Sequence, residues 1–206
     1  MRDGAILILV RHGETSANLD GVWHGSTDTP LTDRGRAQAE RVARYLGDRH
    51  ANGGVTALYS SHLQRSRDTA DAIGAAVGLP TEIDAGLGEY DLGSWEGKTY
   101  RELYKEQRLW HHMREDPDFA PHGGESPRQV IDRFIAVLRR LHALHRRERI
   151  VVVAHGGALS MVLAELLDGD YSQWRRVMEN CAVSELTLEP QPELLSFNYT
   201  SHLDGL

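Results

Sequence analysis

Four short segments carry residue types suited to handling a phosphoryl group. They are Arg11-His12-Gly13-Glu14, Ser60-Ser61 with Arg65, Glu89 within Gly88-Glu89-Tyr90, and Ala154-His155-Gly156-Gly157. An imidazole is mostly neutral near pH 7, so His12 can attack phosphorus without a separate base. The planar fork of Arg11 can hold two phosphate oxygens at once. Arg65 falls one turn into an expected helix and can point back over its start, where free N–H groups also favour an anion. His155 can donate to a phosphate oxygen. Glu89 can protonate a leaving alkoxide and then deprotonate water. Asn18, Trp23 and Gly156 are further candidate substrate contacts. Singly, each has a plainer reading: a polar turn for Arg11-His12, an exposed helical arginine paired with Asp68 or Asp71, a hydrogen-bonded structural histidine at position 155.

Position in the expected fold changes those readings. The first, second and fourth segments each follow an apolar, β-branched run, at residues 5–10, 55–59 and 150–154. As parallel strands of one sheet, these runs bring two histidines and two arginines to its carboxyl edge, where open α/β sheets place their ligands. Apolar residues at helical spacing predict helices over 33–48, 63–77, 126–145 and 157–167. A short extended stretch is expected at 81–83, and two terminal strands at 183–188 and 194–199. The alternation implies an α/β three-layer sandwich, with a mostly parallel central sheet flanked by helices. Residues 90–126, rich in aromatics and charges, read as a helical lid insertion in a single domain of residues 1–206.

The chain has 206 residues, a net charge of −7 and no basic run, which argues against nucleic-acid binding. Cys181 is the only cysteine, so neither an intrachain disulfide nor a cysteine-based zinc site is expected. The apolar run at 6–10 is too short to span a membrane and lacks the features of a signal peptide. A cytoplasmic protein without membrane association is the expectation. Eleven histidines are present, but none lies in an HExxH pattern, and His111-His112 would point to different sides of a helix. No metal or cofactor is expected.

The ordered motifs resemble the histidine phosphatase superfamily, in its phosphoglycerate mutase-like branch. The resemblance rests on Leu9-Val10-Arg11-His12-Gly13-Glu14-Thr15 with Asn18, and on Asp28-Thr29-Pro30-Leu31-Thr32 with Gly35 and Gln38. It continues through Ser60-Ser61 with Leu63, Arg65, Thr69 and Ala70, and through Glu89 with Leu92-Gly93-Ser94-Trp95-Glu96-Gly97. Gly123-Gly124-Glu125-Ser126 and Val153-Ala154-His155-Gly156 complete it. It implies a metal-independent phosphomonoesterase in which His12 is phosphorylated, Arg11, Arg65 and His155 bind the phosphoryl group, and Glu89 is the proton donor. The competing reading within the family is a 2,3-bisphosphoglycerate-dependent mutase. The absence of a mutase-like basic lid run speaks against it. A non-catalytic phospholigand-binding protein is the competitor from another class. The implied substrate is a small phosphorylated metabolite: a sugar phosphate, a phosphoglycerate derivative, phosphoserine or α-ribazole phosphate. The segment Asn198-Tyr199-Thr200-Ser201-His202 resembles metal-independent phosphoserine phosphatases, which would put His202 near a substrate carboxylate. A C-terminal edge strand could pair two copies in a homodimer.

Overall fold

The computed structural model describes residues 4–50, 54–121, 123–173 and 175–206. Residue 122, within the expected lid insertion, lies outside them. Six strands form one sheet: β1 (Ile6–Arg11), β2 (Val55–Ser60), β3 (Thr81–Ile83), β4 (Arg149–Ala154), β5 (Val183–Thr187) and β6 (Glu193–Tyr199). Their order is β3-β2-β4-β1-β5-β6. β1 pairs parallel with β4, and β2 pairs parallel with both β4 and β3. β5 runs antiparallel to β1, and β6 antiparallel to β5. The sheet is therefore mostly parallel, with one reversed strand near the edge formed by β6.

Strand periodicity builds the three layers. Successive side chains point to opposite faces, and both faces of β1 and β4 are apolar. Ile8, Val10, Val151 and Val153 meet helices α2 (Asp33–His50) and α3 (Gln64–Val77), through Val42, Leu46, Ile73 and Val77. Leu7, Leu9, Ile150 and Val152 share the other core with α6 (Pro127–Leu144) and α7 (Gly156–Asp168), through Phe134, Leu138, Leu159 and Leu163. Ser126 caps α6 with a capping box completed by Gln129, with Pro127 at the helix start.

The 90–126 segment holds a 3₁₀ turn (Gly93–Trp95) and two short helices, α4 (Tyr100–Lys105) and α5 (Leu109–Glu115). Leu103, Leu109 and Met113 are buried in the same core as α6 and α7, so this segment is anchored and not merely draped over the sheet. A helix that sequence periodicity did not reveal, α1 (Ser16–Asp20), interrupts the first loop. Thr15 and Asn18 form its capping box, and Gly21 ends it in the left-handed conformation. No helix among the described residues is long and apolar enough to cross a membrane.

Candidate active site

The carboxyl ends of β1, β2 and β4 converge, and hydrogen bonds continue the sheet beyond the strands themselves. The His12 N–H donates to Ala154 O (3.0 Å) and the Ser61 N–H to Val153 O (3.1 Å). His12 and His155 are thereby placed side by side, with ring centroids 5.2 Å apart. They meet at a cavity of about 320 Å³ whose lining includes Arg11, His12, Asn18, Trp23, Arg65, Glu89, Gly156 and Gly157. All the residues expected at the site line it except two. His155 lies buried behind it, against His12. His202 is elsewhere: it stacks on Tyr45 (5.0 Å) and its Nε2 lies 3.0 Å from Cys181 O. The structure does not bring His202 to the cavity, because the turn after β6 folds it onto the α2 side of the sheet.

His12 Nδ1 lies 2.7 Å from Gly13 O. A carbonyl only accepts, so Nδ1 carries the proton and Nε2 keeps its lone pair. Burial, followed by the charges of Arg65 and Arg11, holds the imidazole well below its ordinary 6.5. The ring is thus neutral and fixed in one tautomer. His155, fully buried, is depressed in the same way, first by burial and then by Arg65 and His12. Its Nε2 lies 2.6 Å from Ser61 Oγ, which already accepts the Leu63 N–H (3.2 Å). With the Ser61 hydroxyl donating to Nε2, His155 carries its own proton on Nδ1.

Two buried polar atoms at this point have no partner: His155 Nδ1 and Arg11 Nε. A buried donor left unsatisfied is costly, on the order of 1–3 kcal/mol each. Arg11 Nε is a donor, and so is His155 Nδ1 in the tautomer that accepts from Ser61. Burial pushes the Arg11 guanidinium down, opposed by Tyr100 and Glu89, but an arginine stays charged. Its Nη1 donates to Met178 O (2.7 Å), and a Cβ on Gly156 would come within 3.0 Å of its Nε. Glycine at 156 is what lets the guanidinium lie against the start of α7.

Arg65 differs from the sequence expectation. It is 2 % exposed, and neither Asp68 nor Asp71 is its partner. Its η nitrogens donate to the carbonyls of His24 (2.8 Å), Gly25 (2.9 Å) and Thr27 (2.9 Å) and to Asp28 Oδ1 (3.2 Å). The start of α3 is also occupied: Asp28 Oδ2 accepts the Gln64 N–H (2.5 Å). Arg65 brings its charge to the cavity while shaping the loop that forms the cavity wall. Glu96 completes that loop from the other side, accepting the N–H groups of Gly25 (2.8 Å), Ser26 (3.3 Å) and Thr27 (3.4 Å).

Glu89 sits at the positive end of α7. Its carboxylate accepts the N–H groups of Gly157 (2.8 Å), Ala158 (2.6 Å) and Tyr90 (2.8 Å). A Cβ on Gly157 would stand 2.7 Å from Glu89 Oε1 and 2.5 Å from Trp23, so only glycine admits this approach. Arg133 holds the segment from beneath, donating to the carbonyls of Gly86, Gly88 and Glu89 and pairing with Glu125. Asn180 was not anticipated from sequence. Its amide donates to His12 O (2.9 Å) and Asn18 Oδ1 (3.1 Å), leaving the Asn18 amide N–H groups for a ligand. It lies in an irregular segment with neither motif nor period to mark it.

A family model described as histidine phosphatase superfamily (branch 1) matches residues 7–200. Glucosyl-3-phosphoglycerate phosphatase of Mycolicibacterium vanbaalenii is 36% identical over 179 residues, covering 82% of this chain and 76% of that protein. A probable phosphoglycerate mutase of Klebsiella pneumoniae is 34% identical over 206 residues, covering 96% and 94%. Among solved structures, a mycobacterial glucosyl-3-phosphoglycerate phosphatase complexed with VO3 superposes with a TM-score of 0.82 at 31% identity, covering 95% of this chain and 99% of that one. The motifs, the sheet edge they share and these matches agree, and the chain belongs to the histidine phosphatase superfamily, branch 1.

Proposed function

We propose that this phosphatase of the superfamily is a metal-independent phosphomonoesterase acting on a small phosphorylated metabolite through a phosphohistidine at position 12. The observation that carries this reading is the pair of buried, unpartnered donors, Arg11 Nε and His155 Nδ1, beside an imidazole whose tautomer leaves Nε2 basic. In the first step the His12 Nε2 lone pair forms a bond to phosphorus as the bond to the ester oxygen breaks, and Glu89 gives that oxygen a proton. In the second, Glu89 takes a proton from water, whose oxygen attacks phosphorus and releases His12 and inorganic phosphate. Arg11, Arg65 and His155 meet the charge spread over the phosphoryl oxygens. The apolar strands and charged surface fit a cytoplasmic location, and the edge position of β6 supports pairing with a second copy.

The mutase reading draws on relatives named as probable mutases. The cavity supports hydrolysis instead: its lining has two arginines and no lysine among the described residues, which is little positive charge for a bisphosphorylated carboxylate. The test is alkaline denaturing quench of EDTA-treated enzyme during turnover, followed by intact mass measurement without acidification, since a phosphohistidine is labile to acid and stable to base. A phosphoryl adduct is expected in the native enzyme and not in His12→Ala, with inorganic phosphate as product. Rapid interconversion of 2- and 3-phosphoglycerate stimulated by 2,3-bisphosphoglycerate, or activity lost to EDTA and restored by Mg²⁺, would overturn the proposal.

A further inference from the structure

The cavity lining is of two chemical kinds. Arg11 and Arg65 carry its positive charge, and each is fixed in place: Arg11 by Met178 O, Arg65 by the carbonyls of residues 24, 25 and 27. An apolar and aromatic wall is supplied by Val22, Trp23, Tyr100, Trp110 and Val177. Trp23 and Tyr100 meet edge to face, with centroids 5.8 Å apart. Burial raises the Tyr100 phenol above its ordinary value, against the pull of Arg11, so this wall carries no charge from Tyr100. Of the other titratable lining groups, Glu89 accepts the N–H groups of Gly157, Ala158 and Tyr90, and His24 has its Nδ1 bonded to Thr29 Oγ1.

Charge can then be balanced across the site. A phosphoryl dianion matches the two guanidiniums. A carboxylate on the alcohol would enter the same cavity stripped of water, with no further arginine or lysine in the lining to pair with, which is unfavourable. The cations of the 90–126 segment do not supply one: none of Lys98, Arg101, Lys105, Arg108 and Arg114 lines the cavity, and the last three line a separate groove that shares only Trp110 with it. An uncharged alcohol with an apolar or aromatic body would instead bury its surface on Trp23, Tyr100 and Trp110. At about 320 Å³ the cavity is at the small end for small-molecule sites, about 300–1,000 Å³.

Resting on the phosphatase reading above, we infer that the substrate is a phosphomonoester of an uncharged alcohol with an aromatic or apolar body, and that carboxylated phosphate esters are selected against. Benzyl phosphate and 4-carboxybenzyl phosphate test this, because they share a reacting centre and differ in charge. The expected kcat/KM for benzyl phosphate is higher by at least about tenfold, a ratio within reach of pocket contacts alone. The Val177→Lys variant, which places a cation on the wall, should shrink that ratio by favouring the carboxylated ester. Equal or faster hydrolysis of 4-carboxybenzyl phosphate by the native enzyme overturns the substrate class and leaves the phosphatase reading intact. Release of phosphate from neither ester, nor from p-nitrophenyl phosphate, overturns both.

Discussion

At the scale of single residues, the site depends on where protons rest before substrate arrives. Gly13 O fixes the proton of His12 on Nδ1, and a Ser61 hydroxyl donating to Nε2 leaves that of His155 on its own Nδ1. Ser61 does not line the cavity. It acts as a positioning residue, holding the second imidazole in the tautomer that donates toward the phosphoryl group. Ser61→Ala is expected to lower kcat/KM by about tenfold to a hundredfold, below or at the usual loss for removing one positioned donor. Ser61→Thr, which keeps the hydroxyl, should recover most of the activity, with KM little changed in either variant. If Ser61→Ala instead kept full kcat/KM, the tautomer would be set some other way. The sequence named His12, His155, Arg11 and Glu89 because each ends or follows a strand or motif. It could not show that Arg65 spends four hydrogen bonds on a distant loop, or that Asn180 holds His12 O, since both depend on chain segments meeting far along the fold.

At the scale of elements, loop 24–28 is held between opposite charges. Arg65 takes its carbonyls and Glu96 its N–H groups, so the loop backbone is satisfied from both sides. Glu96 also accepts the Leu92 N–H (3.0 Å), joining the loop to the 90–126 segment. Glu96→Ala should therefore loosen the wall that carries Trp23 and His24. We expect a loss of about 1–2 kcal/mol in urea unfolding, the scale of a few partly exposed hydrogen bonds to a charged acceptor, and a rise in KM larger than any fall in kcat. Stability loss without a change in KM would separate the loop from substrate binding. The main parallel strands were legible as continuous apolar, β-branched runs, and the long helices because an apolar period of 3.6 extends over enough residues to be recognised. Five-residue α1 was too short to show a period, although Thr15, Asn18 and Gly21 carried its capping signals. The reversed direction of β5 left no trace in its own composition.

At the scale of the whole molecule, burying two neutral imidazoles links catalysis to stability. Unfolded, His12 and His155 return to an ordinary value near 6.5, whereas folded they stay well below it. As pH falls through 6.5 the unfolded chain binds protons that the folded chain does not, so stability is fully present above that value and is lost below it. The loss continues until the depressed folded values are reached. Each histidine contributes a slope of up to about 1.4 kcal/mol per pH unit. His142 and His202, also depressed by burial, act in the same direction. The unfolding free energy should therefore drop between pH 6.5 and 5, and His155→Asn should flatten that dependence whatever it does to stability at pH 8. An unchanged slope would assign the acid sensitivity to other groups. The order of the sheet has a consequence for synthesis. β1 lies between β4 and β5, both made long after it. At about 5–20 residues per second, a ribosome needs on the order of ten seconds between completing β1 and supplying its first neighbour. Through that interval a run of five aliphatic residues, Ile6 to Val10, waits with both hydrogen-bonding edges open. The strand that leads into His12 is thus, on the nascent chain, an apolar segment of the kind that holding chaperones cover.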